Sequence, residues 1–164
     1  MPQAGDVARE VLARLSDEAV EDVGPAMYRD ADQPAVSHAA AIPESMQRFA
    51  QDAVQRAWSD PKAVARLLGE YLSEPKPNVW FDAQPYPKRL QGVALDRRSR
   101  MLYDRHHVFL NGESWRAAGA DAKLMKRLAD QRSLNAVELR DASPQALALL
   151  KQWCEDGWLH PLST

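Results

Sequence analysis

The chain has 164 residues, 45% of them hydrophobic and 27% charged, which allows one ordinary domain or two small ones and matches a globular composition. No run approaches the roughly 18 apolar residues of a membrane span, the first ten residues do not form a secretory signal, and one cysteine rules out an internal disulfide framework and fits a reducing, cytoplasmic compartment. The net charge of −2 is unevenly divided, with 8 Lys and Arg against 14 Asp and Glu in residues 1–83 and 13 against 9 in residues 84–164, which points to two modules.

In chain order, the first predicted element is a helix over about Asp6 to Asp17, with Val7, Val11, Leu12 and Leu15 on one face. From Gly24 to Pro43 the chain carries Pro25, Pro34 and Pro43 and no apolar period, so an irregular connection is expected. Met46, Phe49, Ala50, Ala53, Val54, Ala57 and Trp58 then recur at helical spacing. Asp60 is placed to cap, and Pro61 to open, a further helix carrying Val64, Leu67, Leu68, Tyr71 and Leu72. Two amphipathic helices with so short a joint predict an antiparallel hairpin. Its stripe needs a partner: the same chain, another domain or a second copy. Met46, Phe49, Val54, Trp58, Leu67, Leu68 and Tyr71 are therefore the candidate dimer-interface residues.

Four prolines between residues 75 and 87 predict an extended, semi-rigid linker. The period then changes to short extended runs. Gln91–Leu95 and Arg100–Tyr103 are candidate strands around an Asp96–Ser99 turn, and Asn111-Gly112 predicts a tight hairpin between His107–Leu110 and Glu113–Arg116. A helix is expected over Ala122 to Gln131 with Asp121 as its cap. Asn135 and Glu138 have capping-box spacing ahead of a short helix, and Ser143-Pro144 opens the last helix. Gly157 is placed to end that helix, and Trp158–His160 reads as a short strand. The expected architecture is α+β and mostly helical, a helical region followed by a winged-helix-like domain with a small antiparallel sheet.

No motif for chemistry stands out. His38, His106, His107 and His160 form no His-x-Asp, His-x-Glu or His-Glu-x-x-His pattern, and all four are expected in exposed or loop positions. His106 and His107 would point to opposite faces of a strand. Cys154 lies on an apolar helix face, as a core residue does. Asp17-Glu18, Glu21-Asp22 and Glu155-Asp156 lie in polar settings, and seven scattered glycines make no phosphate loop. The sequence thus assigns no catalytic, cofactor-binding or metal residue. A polyanion contact remains as a reading: Arg97, Arg98, Arg100 and Arg105 lie on the hairpin region, with Lys123, Lys126, Arg127 and Arg132 on the helix that follows. The last helix, which would read DNA bases in a winged helix, offers Lys151 against Glu155 and Asp156, so sequence-specific DNA binding is not expected.

Tyr28-Arg29-Asp30-Ala31-Asp32, Pro34, Ala41-Ile42-Pro43-Glu44-Ser45-Met46, the two helices, the proline-rich stretch and Val108-Phe109-Leu110-Asn111-Gly112-Glu113 together resemble the C-terminal half of the bacterial JmjC/cupin ribosomal oxygenases. Leu149-Leu150-Lys151-Gln152-Trp153-Cys154-Glu155-Asp156-Gly157-Trp158 is similar to the end of their winged helix. The resemblance implies a fragment of an enzyme that depends on Fe(II) and 2-oxoglutarate and hydroxylates an arginine of a large-subunit ribosomal protein. It assigns residues 1–20 to the end of the catalytic domain, 21–74 to a helical dimerisation region, 75–87 to the linker and 88–164 to the winged helix. The iron triad and 2-oxoglutarate anchor would lie upstream, in the parent protein. A homodimer is expected, with a ribosomal protein as the parent's substrate. The alternative is an independent winged-helix nucleic-acid-binding or transcription-factor-like module.

Overall fold

The computed structural model describes residues 3–29, 38, 40–83, 85, 90–116 and 118–162. The Asp30–Asp32 and Pro34 portion of the family-like motif lies outside the described residues, as do Gln84, Tyr86 and Pro87 of the expected linker. Contacts group the chain into two compact units, Met1–Leu68 and Gly69–Thr164.

The first unit is built from α1 (Ala4–Val23), α2 (Glu44–Trp58) and the start of α3 (Pro61–Ser73). α1 runs beyond its predicted end and passes through the expected 20/21 boundary without a break. Val11 and Leu15 of α1 bury against Leu67 of α3, with Val7, Ala63 and Leu68 closing the cluster. Arg66 adds a 2.6 Å bond to Glu18 at its edge. Asp60 caps α3 as predicted, accepting the Lys62 N–H at 2.8 Å. The expected α2–α3 hairpin is not what closes this unit. α2 packs chiefly on α1, because the apolar stripe of α1 reaches both neighbours.

The second unit starts with the last turn of α3. Gly69 lies against the Phe109 ring. Buried Ser73 accepts the Gly112 N–H at 3.1 Å, and the Ser114 hydroxyl donates to Glu70 at 2.6 Å. Six strands follow, β1 (Gly92–Leu95), β2 (Met101–Tyr103), β3 (His107–Leu110), β4 (Glu113–Arg116), β5 (Ser133–Asn135) and β6 (Leu159–Pro161), with α4 (Gly119–Gln131) and α5 (Pro144–Glu155). The predicted single sheet is two antiparallel sheets, ordered β5-β1-β6 and β2-β3-β4. β1 has both edges occupied, Val93 pairing with Leu134 and with Pro161. β2 turns away at Asp96–Ser99 and pairs instead with β3, Leu102 opposite Phe109.

Local signals place most of these elements. Asn111 and Gly112 take φ of 52° and 93°, both positive, as a two-residue hairpin turn requires. Asn135 Oδ1 accepts from the N–H groups of Val137 and Glu138, and the Asn135 N–H donates to Glu138 Oε2 at 2.8 Å. That reciprocal box opens a short 3-10 helix, Glu138–Asp141. Gly157 at φ 76° ends α5, with Trp158 N–H bonded to Trp153 O and Gly157 N–H to Cys154 O, a Schellman arrangement. Asp121 does not cap α4, whose N-cap is Ala118. Its carboxylate accepts from the Ser143 N–H and hydroxyl instead, tying the first turn of α4 to the cap of α5. The core gathers Val93, Val108, Leu110, Leu128, Leu134, Leu150, Trp153 and Leu159 from both sheets and both helices.

Candidate functional site

The face of α2 predicted to self-associate is largely uncovered: no residue of this helix is buried. Val54 and Trp58 are 61% and 57% exposed, and Met46 is exposed beside them. Val54 and Trp58 border an open apolar groove of about 520 Å³ between α1 and α2, which Leu12, Leu15, Ala53 and Ala57 also line. Phe49 is half-buried, its ring edge-on to Tyr28 at 5.7 Å. Leu68 and Tyr71 are also half-buried. Leu67 differs from these in being buried within the chain. At 2% exposure it sits inside the α1–α3 cluster, because that face of α3 meets the stripe of α1.

The basic residues of the second unit do not form one free surface. Arg97 and Arg105 are exposed, but they flank opposite ends of β2. Arg98 is clamped on Asp96 through Nε at 2.9 Å and Nη2 at 3.0 Å, and its guanidinium also lies over Phe81 at 5.5 Å. Arg100 donates to the Glu74 carbonyl at 2.9 Å. Arg127 pairs with Glu138 at 3.2 Å, and Lys126 lies over the Tyr103 ring. Arg132, in the left-handed conformation that ends α4, donates to the carbonyls of Asp96 and Ser99. Much of the predicted polyanion patch is therefore spent on holding the fold.

Buried Asp96 is the centre of this arrangement. Besides Arg98, His160 Nε2 lies 2.8 Å from its Oδ2. The Arg98 side-chain bond outweighs burial and, with the Arg98 N–H and His160 bonds, holds the Asp96 carboxyl well below the usual carboxylate range. The expectation of exposed or loop histidines fails at His107, which is buried with Nδ1 3.4 Å from Asp104 Oδ2. It fails in spirit at His160 too, whose acid partner lies 64 positions away in sequence. Neither pair forms a larger cluster. Among the described residues no three His, Cys, Asp or Glu side chains are grouped to hold a metal ion. The described residues therefore do not fit an iron centre. Cys154 is buried; burial and then the charge of Glu155 push its thiol up to about 11, so it is not poised as a nucleophile. No described helix is long and apolar enough to cross a membrane.

α4, the 3-10 turn and α5, flanked by a β-hairpin and a second small sheet, define a winged-helix protein. The chain belongs to the ROXA-like winged helix family, whose profile matches residues 50–160. No curated protein sequence matches it. Solved structures do: Escherichia coli YcfD, described as a ribosomal oxygenase, superposes with a TM-score of 0.72 at 21% identity over 99% of this chain and 47% of YcfD. The same protein in complex with cobalt and 2-oxoglutarate gives a TM-score of 0.71 at 21% identity, over 98% and 46% of the two chains. At that identity the likeness is one of fold. The chain spans less than half the length of these proteins.

Proposed function

We propose that this chain is the non-catalytic C-terminal region of a JmjC-type, Fe(II)- and 2-oxoglutarate-dependent ribosomal oxygenase. Its role is to pair two copies and to position a ribosomal-protein substrate for a catalytic domain elsewhere in the parent. Membership of the winged-helix family and the shared fold with a ribosomal oxygenase support the assignment. The observation that carries the pairing role is the uncovered apolar face of α2, where Val54 and Trp58 stand exposed beside the α1–α2 groove. Large exposed apolar patches mark association surfaces.

Light scattering on the full chain tests this. The wild type should scatter as twice the 18.4 kDa chain mass, and V54D/W58D as a single copy with unchanged helix content. A monomeric wild type at about 100 µM, a concentration well above the Kd of stable homodimers, or a dimeric double variant would refute the role assigned to α2. The nucleic-acid reading predicts salt-dependent binding lost on replacing Arg97 and Arg105, two exposed hairpin arginines not engaged by another described residue, unlike Arg98 and Arg100. No binding at about 50 mM salt would remove it.

A further inference from the structure

The turn between β3 and β4 carries the only Asn-Gly pair in the sequence, Asn111-Gly112. An asparagine before glycine is prone to cyclise, because a following residue without a Cβ lets its backbone nitrogen reach the side-chain amide carbon unhindered. The Gly112 nitrogen gives up its proton and bonds to Asn111 Cγ, the Cγ–Nδ2 bond breaks, and ammonia leaves with that proton. Water then opens the five-membered imide, at Cγ to give aspartate or at the main-chain carbonyl to give isoaspartate. No electrons change hands and water is the sole co-reactant.

The fold prepares this turn for the step on one side and holds it back on the other. Asn111 Oδ1 accepts the Arg100 N–H at 2.9 Å, which polarises the amide and would steady the negative charge that grows on that oxygen as the ring closes. Both residues of the turn are half-buried and so within reach of water. The attacking atom, however, is engaged. The Gly112 N–H donates to Ser73 Oγ at 3.1 Å, and Ser73 is 0% exposed in the last turn of α3. The departing Nδ2 is held too, donating to Ser99 Oγ at 3.2 Å. Further contacts keep that end of α3 on the hairpin. The Ser114 hydroxyl donates to Glu70 at 2.6 Å and Arg100 to the Glu74 carbonyl at 2.9 Å. A Cβ on Gly112 would lie 3.1 Å from Glu74 Cγ, so the helix end sits directly on the turn.

We propose that Asn111 is a deamidation site gated by the last turn of α3. While Ser73 holds the Gly112 N–H the turn is protected; when the end of α3 lifts off, the nitrogen is released and the ring closes. The product does not fit back. A carboxylate oxygen replaces the Nδ2 donor and meets a Ser99 hydroxyl whose proton is already given to the Trp158 carbonyl at 3.0 Å, and isoaspartate adds a methylene to the main chain. Each opening of α3 can thus loosen the hairpin irreversibly. The site is independent of α2 and of the pairing role.

The test incubates the full chain in mildly alkaline buffer, folded and in denaturant, and follows the peptide containing Asn111 by mass spectrometry with fragmentation that separates aspartate from isoaspartate. Folded wild type should deamidate at least about tenfold more slowly than the unfolded chain. Ser73→Ala should recover about tenfold in rate in the folded chain, the change in open population that one lost hydrogen bond produces. Ser143→Ala, which weakens the start of α5 but leaves the turn and its guard intact, should stay at the wild-type rate. Equal rates for folded and unfolded wild type, or Ser73→Ala at the wild-type rate, would overturn the gate. Equal acceleration by Ser143→Ala would also overturn it, since the reaction would then follow global unfolding. Should Ser73→Ala not fold, Ser114→Ala decides by releasing Glu70 from the hairpin: a faster rate supports the gate and an unchanged one sinks it.

Discussion

Replacing Gly69 by Ala should destabilise the second unit, although the position is inside a helix where Ala is ordinarily preferred by about 1 kcal/mol. A Cβ there would fall within the van der Waals envelope of the ζ and both ε carbons of Phe109. That ring is 2% exposed and packs beside the His107 ring at 5.9 Å, so it has little room to swing aside. Overpacking a well-filled core costs about 1–3 kcal/mol, and contact with three ring atoms at once places this case in the upper half of that range. The net loss should be about 1–2 kcal/mol, or roughly 2–8 °C in Tm for a chain of this size. Phe109→Leu removes the offending ε and ζ carbons. In that background Gly69→Ala should become stabilising by about 1 kcal/mol, the intrinsic helix preference alone. A double-mutant cycle in urea, followed by tryptophan emission, measures the coupling. Stabilisation by Gly69→Ala in the wild type, or the same effect in both backgrounds, would refute the packing argument.

Three further outcomes are expected. The depressed carboxyl of Asp96 contributes stability that is fully present above its unfolded pKa and is lost as pH falls below about 4 towards its folded value; urea midpoints across that range should fall for the wild type and flatten for Asp96→Asn. Cys154, buried with its thiol raised to about 11, should resist a disulfide-exchange reagent at pH 8 in the folded chain and react fully in denaturant; rapid native labelling would contradict its place in the core. Ser143→Ala removes both the acceptor for the Ala146 N–H and the donor to Asp121, and should cost about 1–3 kcal/mol in urea unfolding, whereas an ordinary exposed serine of the chain should cost less than about 0.5 kcal/mol.

Elements specified by neighbours in sequence were legible from the sequence alone. The Asn111-Gly112 turn, the Asn135–Glu138 box, the Ser143-Pro144 start and the Gly157 stop each act within a few residues, because capping and positive-φ geometry are satisfied locally. The apolar stripes of α2 and α5 were legible for the same reason, and so was the mostly helical α+β class. The resemblance to ribosomal oxygenases agrees with the winged-helix family and the fold found here.

Tertiary structure decided what depends on distant partners. β5 is three residues long and carries no signal of its own; it is a strand because β1 offers it an edge. The same competition for the edges of β1 split one expected sheet into two. Asp121 had the spacing of a cap and became an anchor for Ser143, because the start of α5 was brought to it. Leu67 and Val54 look alike in a helical period, yet one meets α1 and the other remains exposed. The arginines that read as a free basic patch are partly consumed, since Asp96, the Glu74 carbonyl and Glu138 reach Arg98, Arg100 and Arg127 first. Sequence determined which faces were apolar and where each helix and turn begins. Only the packing of remote segments decided which of those faces and charges remain available, because burial and ion pairing are properties of neighbours in space.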